Sequence, residues 1–101
     1  MIAKQKEYQE RIYRKNPEVV FRVIAGEAIL VPVSRDAQAV GKLFTLNEVG
    51  AFIWGRLDGQ RKLGEILDEI IAEYEVSRER AGQDLRDLIA SLSELKAIRP
   101  D

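Results

Sequence analysis

The direct passage from a short extended run into a helix at Asn47 constrains this chain more than any other feature. Residues 43–46 (LFTL) are typical of a strand, and Asn47 is a preferred helix N-cap because its side chain accepts a hydrogen bond from a free first-turn amide. Glu48 falls in the first turn, where the helix dipole favours a negative charge. Asp58-Gly59 predicts the end of this helix, because glycine adopts the left-handed conformation common there. A strand held this closely to a helix is expected to be rigid, and at a sheet edge it could pair with another chain.

The composition argues against an enzyme that works alone. The chain has 101 residues, which is one domain at most, and 46% of them are hydrophobic, as in ordinary globular proteins. It contains no histidine and no cysteine, so it lacks the usual proton-transfer residue, the strongest thiol nucleophile and the commonest transition-metal ligands. Catalysis by carboxylates or lysine is the alternative, but we expect no catalytic residues, no metal site and no cofactor.

Hydropathy and charge narrow the possible partners. No apolar run approaches the ~20 residues that span a bilayer, and residues 1–15 lack the apolar region of a secretory signal, so a cytoplasmic location without membrane contact is the default prediction. The net charge of −1 argues against a nucleic-acid-binding protein, which usually presents a basic face. Residues 63–75 carry five acidic and no basic side chains; we interpret them as a solvated helix face, with a docking surface for a basic partner as the alternative.

The order of patterns along the chain predicts strands first and helices afterwards. Residues 1–16 are predicted to form a flexible or partly helical N-terminal arm, and residues 17–101 to form the domain. Alternating β-branched residues predict a hairpin over residues 18–33 that turns at Ala25-Gly26, followed by a third strand over residues 42–46. Apolar residues at helical spacing predict helices over residues 47–57, over 63–74, and from the N-cap Ser77 to residue 95.

These elements predict an α+β fold, with a three-stranded antiparallel sheet followed by three helices that cover one of its faces. A winged-helix-like arrangement is the best match. Trp54 is expected in the core, and Lys62 is an unfavourable N-cap that leaves the start of the second helix poorly defined.

Several short motifs resemble the PqqD-like family over residues 17–99. They are Leu46-Asn47, Ile53-Trp54 and Leu57-Asp58-Gly59 around the first helix, Leu63-Gly64-Glu65-Ile66 and Tyr74 in the second, and Asp84-Leu85, Leu88 and Leu92 in the third. The resemblance implies a RiPP recognition element, a small module similar to winged helices. Such a module holds the leader of a ribosomally made precursor peptide for a modifying enzyme, often a radical SAM enzyme.

The same resemblance implies where a peptide would bind. The leader would pair with the third strand and lie against the third helix. By position, the peptide-binding residues would be Lys42, Leu43, Phe44 and Thr45 on the strand and Ala81, Asp84, Leu85, Leu88 and Leu92 on the helix. Because an apolar helix stripe is usually buried, a role in the core alone is at least as strong an interpretation for each of the helix residues.

Peptide recognition by strand addition is the leading hypothesis, and it requires a free strand edge around Phe44. One alternative is a winged-helix nucleic-acid-binding or regulatory domain, which would need a basic recognition helix. Another is a structural subunit that docks on an enzyme without touching its substrate. The sequence leaves the peptide, the modifying enzyme and the oligomeric state open.

Overall fold

The computed structural model describes residues 7–33 and 43–101. In chain order, the strands and helices are β1 (Ile12–Lys15), β2 (Val19–Ile24), β3 (Glu27–Pro32), β4 (Phe44–Leu46), α1 (Glu48–Arg56), β5 (Asp58–Lys62), α2 (Leu63–Glu73), α3 (Arg78–Glu94) and β6 (Ile98–Pro100). The predicted α+β class, the hairpin and the three helices are confirmed, and the winged-helix arrangement stays a prediction.

A two-residue turn sets the register of the sheet formed by β2, β3 and β4. Ala25 and Gly26 both have positive φ angles, 52° and 84°. A two-residue hairpin turn whose twist matches that of the flanking strands requires such angles. Ile24 therefore pairs with Glu27, and antiparallel pairing continues to the far end of the hairpin. β4 adds to the other side of β3, which gives the strand order β2-β3-β4.

A second sheet was not predicted from the sequence. β1 lies between β5 and β6 and is antiparallel to both. The side chain of Tyr13 in β1 is 5% exposed and belongs to the hydrophobic core. The sequence prediction of a flexible or partly helical arm over residues 1–16 therefore differs from the structure at residues 12–15, because burial of Tyr13 and pairing with two distant strands hold this segment in place.

The helix boundaries follow from capping hydrogen bonds. The Ser77 hydroxyl accepts a hydrogen bond from the backbone amide of Arg80 at 3.1 Å, as expected for the N-cap of α3. At the start of α2, the Glu65 carboxylate accepts the backbone amide of Lys62 at 2.9 Å. The glutamate thus supplies one half of a capping box, which explains how α2 begins at Leu63 after an unfavourable cap residue.

The core joins the sheet of β2, β3 and β4 to all three helices. The largest fully buried side chains are Leu30, Ile53, Leu57, Leu63, Ile66, Ile70, Leu85 and Leu92. Burial of each of these side chains stabilises the folded state by about 1.5–3 kcal/mol relative to leaving it exposed. Trp54 is 6% exposed and lies in this core, as predicted.

The acidic side chains of α2 lie on its outer side, where some form ion pairs. Glu69 pairs with Arg61 at 3.1 Å and with Arg56 at 3.5 Å, and Asp68 pairs with Arg78 at 3.0 Å. Over residues 7–33 and 43–101, the structure has no helix that is both long and apolar enough to span a bilayer.

Candidate functional site

Strand β4 lies at one edge of its sheet. It pairs with β3 through Phe44 opposite Leu30, Thr45 opposite Ile29 and Leu46 opposite Ala28. In the described residues no strand pairs with its other side. The free edge around Phe44 that peptide binding requires is therefore present in this part of the chain.

The register of the hairpin determines which backbone groups of β4 point outward. The amide of Val33 donates to the carbonyl of Glu18 at 2.7 Å, so hydrogen-bonded pairs alternate along the hairpin from this pair to Ile24 opposite Glu27. Between these pairs, the β3 residues Ala28 and Leu30 direct their backbone groups toward β4. Leu46 and Phe44, which lie opposite them in β4, therefore form hydrogen-bonded pairs with β3. The β4 residue between these two forms a non-hydrogen-bonded pair.

That intervening residue is Thr45. Because Thr45 and Ile29 form the non-hydrogen-bonded pair, the amide and the carbonyl of Thr45 face the free edge of the sheet. The side chain of Thr45 is exposed and lies on the sheet face opposite those of Phe44 and Leu46. Thr45 thus offers one donor and one acceptor to an added strand without losing any bond to β3.

A groove of about 260 Å³ lies beside this edge, between β4, the start of α1 and one side of α3. We call it the β4–α3 groove. Its walls combine half-buried apolar side chains with polar groups from α3: Phe44, Thr45, Leu46, Asn47, Gly50, Ile53, Asp84, Asp87, Leu88 and Ser91 line it. A segment added to β4 would therefore have side chains in contact with both β4 and α3.

The structure separates the predicted site residues into two groups. Phe44, Thr45, Asp84 and Leu88 line the groove, and Leu43, 62% exposed, precedes β4 at the same edge. Lys42 lies outside the described residues. The other three predicted residues are core residues with at most 2% exposure and do not line the groove: Ala81, Leu85 and Leu92. For these three, the core interpretation fits, because they occupy the centre of the buried stripe of α3.

Sequence reasoning did not include two groove residues of α3, Asp87 and Ser91. Together with Asp84 and Leu88 they occupy positions i, i+3, i+4 and i+7, which is one continuous side of a helix next to its buried stripe. This spacing could have identified both residues from the sequence. The contribution of Gly50 and Ile53 from α1 has no comparable local signal, because it depends on how α1 packs against β4.

The charged groups of the groove are carboxylates. Asp84 lies 3.3 Å from Arg80, one helical turn away on an exposed surface. Asp87 accepts a hydrogen bond from the side-chain amide of Gln83 at 2.8 Å. The groove therefore presents hydrogen-bond acceptors and negative charge to a ligand.

A larger cavity of about 590 Å³ lies on the other side of the buried stripe of α3, between α2, α3 and residues 8–9. Buried leucines form its floor, and Arg78 and Arg86 lie at its rim. Burial raises the pKa of the Tyr8 phenol to about 12, so this side chain stays neutral. No strand edge adjoins this cavity among its described lining residues, so it lacks the backbone groups that make the β4–α3 groove a peptide site.

Three comparisons relate this chain to known proteins. The family described as Coenzyme PQQ synthesis protein D (PqqD) matches residues 27–98. The solved structure of TbiB1 in complex with the TbiA(beta) leader peptide is 31% identical, with 85% of this chain and 94% of that chain covered and a TM-score of 0.68. A lasso peptide synthetase B1 complexed with the leader peptide is 27% identical, with 87% and 98% covered and a TM-score of 0.71. A search of curated protein sequences found no match.

Proposed function

Because the chain belongs to the PqqD family, as its sequence motifs predicted, we propose that it is a non-catalytic module that binds the leader of a ribosomally made precursor peptide. The leader adds to β4 as a further strand and is held for a modifying enzyme, such as a radical SAM enzyme. The observation that carries this proposal is the position of Thr45, whose outward backbone groups lie beside the β4–α3 groove.

Strand addition explains how one small module binds with both affinity and selectivity. The backbone groups of Thr45 bond to any peptide backbone, with a net contribution of about 0.5–1.5 kcal/mol for each hydrogen bond. Selectivity comes from every second peptide side chain, which enters the groove between Phe44 and Leu88. Both similar structures hold a leader peptide, which supports a peptide as the occupant.

The other edge of the sheet is less suited to this role. β2 forms that edge, and its residues 21–24 are all exposed. A peptide added there would have no helix wall of the described fold against which to bury its side chains. The β4 edge is therefore the binding edge in this proposal.

The decisive experiment removes the outward amide of β4 and leaves the fold intact. A proline is tolerated in an edge strand where the amide faces away from the sheet, so Thr45→Pro should keep the bonds of β4 to β3. We expect this variant to bind the synthetic leader of the precursor peptide encoded nearest its gene about tenfold more weakly. Isothermal titration calorimetry gives the Kd, and circular dichroism checks the fold.

Thr45→Val is the matched control, because it changes the same exposed side chain and keeps the amide. It should bind the leader with nearly the wild-type Kd. In NMR spectra, leader-induced amide shifts should concentrate in residues 43–46 and 84–91. A folded Thr45→Pro protein with wild-type affinity, or shifts confined to other regions, would contradict strand addition at β4.

A further inference from the structure

The two sides of α3 carry different sets of charged side chains. The charged side chains that line the β4–α3 groove are Asp84 and Asp87, both acidic. The cavity on the other side of the helix is lined by two arginines, Arg78 and Arg86, and by one acidic residue, Glu79. A ligand in the groove therefore meets a negative wall, although the protein as a whole is nearly neutral with a net charge of −1.

Asp87 has a carboxylate that no cation of the described chain neutralises. One of its oxygen atoms accepts a hydrogen bond from the side-chain amide of Gln83, and no lysine or arginine nitrogen of the described residues forms an ion pair with it. Asp84 differs, because Arg80 lies 3.3 Å from it. The Arg80 side chain is 73% exposed, so this pair is weak. The groove thus keeps acceptor capacity for an incoming donor.

The geometry of strand addition brings a ligand side chain to this wall. A strand added to β4 runs about 4.8 Å away from it, and alternate side chains point to the sheet face that carries Phe44 and Leu46. On that face the groove offers two kinds of surface next to each other. One is apolar and formed by Phe44 with Leu88, and the other is acidic and formed by the two aspartates.

We infer that the leader segment bound in this groove carries a lysine or arginine side chain that pairs with Asp87, next to an apolar side chain that packs on Phe44 and Leu88. This inference rests on the proposed function and adds the chemistry of the ligand. Opposite charges at a partly exposed interface mainly orient the ligand and exclude wrong partners, so a peptide with an acidic side chain at this position is rejected. The largest interaction free energy typical of an exposed ion pair corresponds to a change of about fivefold in Kd.

Selection from a displayed library of random dodecapeptides tests this inference without knowledge of the natural leader. The library is selected on the wild-type protein, on Asp87→Lys and on Glu73→Lys. The last variant is the control, because it makes the same charge reversal at an exposed α2 position outside the groove. We expect wild-type and Glu73→Lys to enrich lysine or arginine at one position beside an apolar residue, and Asp87→Lys to enrich aspartate or glutamate there.

Measured affinities complete the test. In an enriched peptide, replacement of the lysine at the enriched position by glutamine should weaken binding to the wild-type protein by about fivefold. The same replacement should have little effect on Asp87→Asn. Enriched peptides that shift the amides of residues 43–46 without any preference at a charged position would overturn this inference and leave strand addition intact. Enriched peptides that bind elsewhere, or no enrichment at all, would count against both.

Discussion

The side-chain oxygen of Asn47 accepts a hydrogen bond from the backbone amide of Gly50 at 2.7 Å. The backbone carbonyl of Asn47 also accepts the amide of Ala51 at 2.9 Å. Because Asn47 directly follows β4, these two bonds fix the end of the edge strand to the first turn of α1. The strand proposed to receive the peptide is therefore fixed at its C-terminal end by α1 and along one side by β3, and its other side is the free edge of the described sheet.

Loss of this cap should weaken the fold and disturb the edge strand. We expect Asn47→Ala to lower the free energy of unfolding by about 1 kcal/mol, because the amide of Gly50 loses its acceptor. Ser77→Ala removes the equivalent cap of α3 and should lower the free energy of unfolding by a similar amount. Urea denaturation measures both changes. In NMR spectra only Asn47→Ala should shift the amides of residues 43–46, and equal shifts in both variants would contradict a local role for Asn47.

Two glycines of α1 should respond differently to alanine. A Cβ atom at Gly55 would have nothing within 4 Å, so Gly55→Ala should raise the free energy of unfolding by about 0.5 kcal/mol through helix propensity. A Cβ atom at Gly50 would lie 3.1 Å from the side-chain oxygen of Asn47 and 3.3 Å from Leu46. Gly50→Ala should therefore be less stable than Gly55→Ala in thermal denaturation. The reverse order would show that the turn between β4 and α1 adapts easily.

The elements that were predicted correctly have strong local signals. The hairpin shows β-branched residues around a two-residue turn, and the helices show apolar residues at a spacing of three and four after a capping residue. β5 has the sequence DGQRK, which contains no apolar residue, and β6 has only three residues. These strands exist because β1 pairs with both of them across large distances in the chain, and such pairing leaves no periodic pattern in a single sequence.

The candidate site was predictable to a similar extent. The family resemblance pointed to the strand that precedes Asn47 and to the third helix, and through them to Phe44, Thr45, Asp84 and Leu88. Ala81, Leu85 and Leu92 were carried over with them, because helical spacing does not show which residues of an apolar stripe face the groove and which belong to the core alone. The side that faces β4 depends on the packing of α3 against the sheet, which only the three-dimensional arrangement determines.

The buried side chain of β1 should be a major source of stability. Tyr13 is 5% exposed within the core, so we expect Tyr13→Ala to lower the free energy of unfolding by about 3 kcal/mol through loss of burial and formation of a cavity. Arg14 is the matched control in the same strand. Its side chain is 50% exposed and pairs with Asp101, and Arg14→Ala should cost less than about 1 kcal/mol. Urea denaturation of both variants provides the comparison. A small effect of Tyr13→Ala would indicate that the N-terminal segment behaves as a loosely attached arm.

The turn at the start of β5 should make stability depend on pH. The backbone amides of Arg61 and Gln60 donate to the Asp58 carboxylate and hold its pKa below the usual value of 3.8. A carboxyl group with a depressed pKa in the folded state stabilises the protein above the unfolded-state pKa, and this stabilisation is lost as the pH falls through the folded-state value. Asp58→Asn should therefore be less stable than wild type at pH 7, and the difference should shrink below pH 3.8.

Urea denaturation between pH 7 and pH 3 measures this difference for Asp58→Asn. Glu73→Gln serves as the control for the loss of one negative charge, because this exposed side chain lies on α2, away from the turn. Subtracting the effect of the control variant leaves the contribution of the amide bonds from Gln60 and Arg61 together with that of the ion pair between the Arg61 guanidinium and Asp58. If the corrected difference stays constant down to pH 3, neither the amide bonds nor the Arg61 ion pair favours the charged form of Asp58. The turn would then owe its conformation to the positive φ of Gly59, 77°, rather than to the carboxylate.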